Sequence, residues 1–182
     1  MSRGGKTALG AAVFALAAAT VGWRIWAHLD VLTPPYSRQD ALVDFRDAVY
    51  YPVVEFLAGE NPYDRGSVLS RYPVNGTIGL YSPLTLLLHL PFGLLPYRAA
   101  ELFFVALSFV LVTVLAAAAV RLAGRDADPA VVLGVAAFLV ISRPGHWNLF
   151  LGQVSLETAL ATWAALWLAA WAEASPAAAT WT

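Results

Sequence analysis

This 182-residue chain has no cysteine. Disulfides, thiolate zinc sites, iron–sulfur clusters and cysteine nucleophiles are therefore excluded. Charge is scarce too: 13% of residues are charged, and the formal net charge is −1. The basic footprint of a nucleic-acid binder is missing, so no nucleic-acid partner is expected. The three histidines, His28, His89 and His146, are too scattered to form a ligand motif, and no HExxH element occurs. No phosphate-cradling GxGxxG or GxxxxGK[ST] loop is present. No metal and no cofactor are expected. What the chain does have is apolar surface, at 59% of residues. A soluble domain is about half apolar and about a quarter charged. The surplus needs a lipid solvent.

Four stretches are expected to span a membrane, near residues 7–27, 100–120, 129–142 and 154–172. The first is free of charge from Thr7 to Trp23, and Arg24, Trp26 and His28 stand where a signal peptide would have small cleavage-site residues. It reads as an uncleaved anchor. Leu102 to Val120 is the clearest span, a charge-free run of 19 residues. Ala130 to Ser142 holds only 13 and reads as short or tilted. Basic residues precede the first span (Arg3, Lys6) and follow the second (Arg121, Arg125). An integral, multi-pass plasma-membrane protein with a cytoplasmic amino terminus and residues 28–98 outside follows from that bias.

The outer segment predicts two interfacial helices, near 38–58 and 83–95. Ser37 and Asp40 have capping-box spacing ahead of the first. Ala41, Leu42, Phe45, Val49 and Val53 line one face, while Asp44, Asp47, Tyr51 and Glu55 continue another. An amphipathic helix lying at the membrane surface is expected, with its carboxylates on one side. Pro52 either kinks it or opens a second short helix. Gly59 to Asp64 reads as a turn, and Asn75-Gly76 as another. Ser82 and Pro83 are the N-cap and first residue of the second helix, which is too short to cross. Later, Glu157 follows Gln153 by four residues and shares its face. Trp163, Trp167 and Trp171 form a stripe at spacing four that reads as packing.

The order of these pieces resembles a known family. Asp44-Phe45 follows the first span, and Tyr50-Tyr51 comes next. Then come Gly59-Glu60-Asn61-Pro62-Tyr63-Asp64, Tyr81-Ser82-Pro83-Leu84 and Leu90-Pro91-Phe92-Gly93-Leu94-Leu95-Pro96. Gly152-Gln153-Val154 opens the last membrane helix. From about residue 40 to 165 the series resembles the N-terminal portion of glycosyltransferase family 87, polytopic enzymes of the GT-C fold. The resemblance implies an all-α membrane bundle and inverting transfer of a sugar, often mannose, from a polyprenyl-phosphate donor to a lipid or glycan acceptor on the outer face. It implies Asp44 as catalytic base. It carries Tyr81 and Gln153 over as substrate-binding positions.

The residues themselves add further candidates. Asp47 and Tyr51 share the acidic face and are expected to bind substrate, with Asp47 either holding the acceptor's hydroxyls or orienting an arginine. The leaving phosphate needs positive charge, which arginine supplies with a planar fork. The candidates to meet it are Arg46, Arg71, Arg98 at the outer end of the second span, and Arg143 with His146 in the second outer loop. Members of the family are about twice as long, so an N-terminal part of a longer enzyme is expected, with membrane lipids and a second chain supplying missing helices as partners. Two other readings stay open: a transporter or flippase fragment, and a non-catalytic membrane partner. A transporter would set its charges at midplane in broken helices, whereas the acids here cluster in a loop.

Overall fold

A computed structural model describes residues 2–29, 41–76 and 79–174, with side chains as far as residue 169. The expected capping box at Ser37 and Asp40 lies outside the described residues. These residues form helices and no strand; Leu29 and Ala41 make one isolated bridge.

Two helices are long and apolar enough to cross a membrane: α1 (Arg3–Ala27) and α7 (Tyr97–Leu122). Intervening elements are short: α2 (Val43–Phe45), a π-helical turn (Arg46–Tyr50), α3 (Tyr51–Leu57), α4 (Arg65–Arg71), α5 (Pro83–Leu88) and α6 (Leu90–Gly93). After α7 come α8 (Pro129–Ile141), α9 (Arg143–Leu151) and α10 (Ser155–Ala174). The expected third span is thus a 13-residue helix that continues into α9 across a 71° bend. Taken together the bent pair would make a third crossing. The fourth expected span coincides with α10, 20 residues long, which is not among the helices apolar enough to cross on its own.

α1 and α8 form the most extensive packing and run parallel. Arg3 lies 3.7 Å from Asp128 at their starts. Arg24 sits over the rings of Trp147 and Phe150 at the far end. Gly10 lets the backbones touch, because a Cβ there would lie 3.0 Å from the Ala130 carbonyl oxygen. The short link between α7 and α8 makes those two antiparallel. One end of the bundle therefore carries Arg3, Arg121 and Asp128. The Asp126-Ala127-Asp128 sequence belongs to this end, where Asp128 caps α8 by accepting from the Ala130 N–H. The other end carries Trp26, Tyr97, α9 and the short helices.

An aromatic core fills that second end. Phe45 stacks on Phe104 at 4.3 Å and meets Phe92 edge-on at 5.5 Å. Tyr51 stacks between Tyr72 and Tyr97 at 4.7 and 5.7 Å. The Tyr50 hydroxyl donates to the Leu95 carbonyl at 2.8 Å.

The first interfacial helix differs from its expectation. It starts at Val43, after Leu42 takes a left-handed conformation (φ 60°). The Leu42 N–H donates to the Phe150 carbonyl and the Ala41 N–H to that of His28, which ties the chain to α9 and α1. The helix does not lie with one face in water. Phe45, Val49 and Val53 are buried, and so are Asp47 and Glu55 on the supposed polar side. Pro52 has no N–H to give the turn before it, and the chain widens into the π-helical turn there. The second expected helix is broken in two at His89, with Pro91 at the start of α6. Neither piece is long enough to cross.

Candidate active site

Asp44 lies in the first turn of α2 and is half-buried. Its Oδ2 accepts a hydrogen bond from Gln153 Nε2 at 3.1 Å, across 109 residues of sequence. Gln153 is held in place by the end of α9. Gly152 adopts φ +72° as the helix C-cap, and the N–H groups of Gly152 and Gln153 both donate to the Asn148 carbonyl at 3.1 Å. The same asparagine donates from Nδ2 to Gln153 Oε1 at 3.4 Å. Gly152 also sits against α2, where a Cβ would come within 2.8 Å of the Phe45 Cβ. Two elements far apart in sequence thus meet closely, with glycine at the contact.

Burial raises the Asp44 pKa above the ordinary carboxylate range. The Gln153 hydrogen bond works against that rise, and the nearby Asp47 charge adds to it. Tyr81 stands close by. Burial raises its phenol pKa; the Asp44 charge and the Glu157 charge push it further up, while the Val154 backbone hydrogen bond acts the other way. Tyr81 also heads a groove of about 640 Å³ lined by Thr85 of α5, Val154, and Ser155, Thr158, Thr162 and Trp163 of α10, among others. Asp44, Gln153 and Tyr81 come together, then, where the groove begins.

The other candidates are distributed differently. Asp47 is fully buried. One of its oxygens takes Arg46 Nε at 2.6 Å and the other the Asn75 N–H at 2.7 Å. It pins the Tyr72–Asn75 loop over the helix. Glu55 is also buried and accepts from Arg71, which is shared with Glu60. Tyr51 lies in the aromatic core. Arg98 is bound to the buried Glu101 at 2.7 Å, beside Trp26 and Leu102 in a separate cleft. Arg143 is exposed at the first turn of α9. His146, one turn on, stacks against Phe150. Asn148 was not among the candidates; its only sequence signal is a polar side chain five residues before Gln153. His89 sits at the break between α5 and α6. It donates Nδ1–H to the Thr85 carbonyl at 2.8 Å and turns Nε2 toward Glu157, 3.9 Å away. Among the described residues, no group of three His, Asp or Glu side chains could hold a metal.

Residues 80–181, more than half of the sequence, match the model of Glycosyltransferase family 87. The chain belongs to this family. It is thus a glycosyltransferase chain, with a sugar donor and an acceptor as its substrates. The family-87 match takes in Tyr81, Arg98, Arg143, His146 and Gln153, whereas Asp44, Asp47 and Tyr51 precede it. No curated protein and no solved structure matches the chain.

Proposed function

We propose that this family-87 chain contributes the catalytic base and part of the donor groove to an inverting sugar transfer from a polyprenyl-phosphate donor, with mannose as the sugar, to a lipid or glycan acceptor. The observation that carries the proposal is Asp44 itself. It is a half-buried carboxylate, held by one oxygen, beside Tyr81 at the head of a largely apolar groove. An isoprenoid chain suits such a groove. An acceptor hydroxyl gives its proton to Asp44 as its oxygen bonds to C1 of the sugar, and the bond from C1 to the polyprenyl phosphate breaks with the electron pair leaving on phosphate. Arg143 is the phosphate-binding group we favour, with His146 beside it. Arg71 and Arg98 already serve carboxylates, and Arg143 stands exposed on α9, the helix that ends just before Gln153. The site lies at the end of the bundle opposite Arg3 and Arg121, which favours the outer membrane face and a cytoplasmic amino terminus.

Asp44→Asn tests the base. Transfer from polyprenyl-phosphate mannose should fall by on the order of 10²–10⁴. Donor binding should stay near normal, since the amide keeps the shape. Near-normal transfer by this variant would remove Asp44 from the role.

A further inference from the structure

Carboxylate oxygens only accept hydrogen bonds, and this fixes the direction of every bond leading to Asp44. Because Asp44 Oδ2 can only accept, the Gln153 side chain must point its NH₂ there. Its Oε1 then faces Asn148, which must in turn present Nδ2. The two amides are set head to tail by the acid at the end of the row. Asn148 has a second hold, since its backbone carbonyl takes the N–H groups of Gly152 and Gln153 and so shapes the left-handed turn from which Gln153 projects. One residue controls both where the Gln153 backbone sits and which way its amide faces.

We propose that Asn148 and Gln153 form an amide relay that orients Asp44, occupying Oδ2 so that Oδ1 is the oxygen offered to the acceptor hydroxyl. Both are positioning residues, and neither needs to touch substrate. The inference rests on Asp44 being the base. It also reassigns Gln153, which the resemblance alone makes a substrate-binding group. A donor on Oδ2 has an electrostatic consequence. It stabilises the carboxylate form in a place where burial and the Asp47 charge destabilise it. The titratable groups around Asp44 are Asp47 one turn along, paired with Arg46, then Tyr81 ahead of α5, and Glu157 beyond Tyr81 on α10. Neither carboxylate among them can replace the lost amide, because Asp47 and Glu157 only accept and repel a second negative charge.

The test uses the full chain in detergent micelles with ¹³C-labelled aspartate carboxyls. The Asp44 signal is assigned by its loss in Asp44→Asn. Gln153→Leu should move the Asp44 titration midpoint to higher pH. Asn148→Ala should move it the same way by less, with the fold intact by circular dichroism. Asn148→Ala also covers the case in which Gln153→Leu fails to fold. An unmoved or lowered midpoint in a folded variant overturns the relay. Transfer from polyprenyl-phosphate mannose separates the roles further. A relay predicts a fall in kcat at unchanged donor KM, whereas a substrate-binding Gln153 predicts a raised KM with the midpoint unmoved, which also overturns it. If Asp44→Asn retains transfer while the midpoints still shift, the base assignment fails and the hydrogen-bonded row stands as structure only, so the catalytic part of the inference falls with it.

Discussion

At the scale of single residues, three consequences can be measured. The first is pH dependence. As the proposed base, Asp44 must be ionised to act, and burial raises the pH at which it ionises. The acid limb of kcat/KM should therefore lie above the ordinary carboxylate range, with activity lost as pH falls through it; a limb at or below that range would contradict the burial of the base. The second concerns Gly152, which combines φ +72° with direct contact on Phe45. Gly152→Ala should cost about 1–3 kcal/mol of stability, visible in thermal unfolding. The third concerns Phe45, buried against Phe92 and Phe104. Phe45→Ala should cost about 3–5 kcal/mol. Sequence made part of this site legible. Asp44, Tyr81 and Gln153 were all nominated through the resemblance, and the structure brings the three together. What sequence could not supply was their connectivity. Nothing in a run of residues says that Gln153 reaches Asp44, or that Asn148 stands behind it. The burial of Asp47 and Glu55 was not legible for a related reason. Their spacing puts them on one polar side of a surface helix, but the Tyr72–Asn75 loop and α4 cover that side, and such covering is a long-range fact.

At the scale of elements, caps and breakers read well. Ser82 and Pro83 open α5 as expected, with Ser82 Oγ accepting from the Thr85 N–H. Gly59 ends α3 in a left-handed turn. The break at His89 follows from a helix that meets Pro91 two residues later. The π-helical turn had no comparable signal beyond Pro52, because a widened turn depends on what packs around it. Helix pairing was not legible either. Gly10 reads as one small residue among many in an alanine-rich stretch, yet it marks where α1 meets the start of α8. Gly10→Leu should force these helices apart and lower stability by about 1–3 kcal/mol in a detergent melt. The same change at Gly4, which has open space around its Cβ position, should have little effect.

At the scale of the whole molecule, the membrane character was evident from composition and the all-helical architecture was implied by the family resemblance, and the ends of the elements sort into two groups. Cysteines introduced singly at Ser67 and Gly124 should label from opposite sides of a sealed vesicle, which the absence of native cysteine makes simple to read. Labelling of both from one side would overturn the orientation. The bond between Gln153 and Asp44 also has a consequence in time. Chains are made from the amino terminus at about 5–20 residues per second, so roughly 5–20 s separate synthesis of the two ends of that 109-residue connection. Leu42 waits as long for the Phe150 carbonyl. Through that interval α2 is in the nascent protein without the side chain that hydrogen-bonds its acid, and a ribosome stopped before residue 150 would display Asp44 without that bond. With Asp44 as the proposed base, transfer activity would be among the last properties acquired during biogenesis, set by arrival of the α9–α10 turn and not by insertion of the first span.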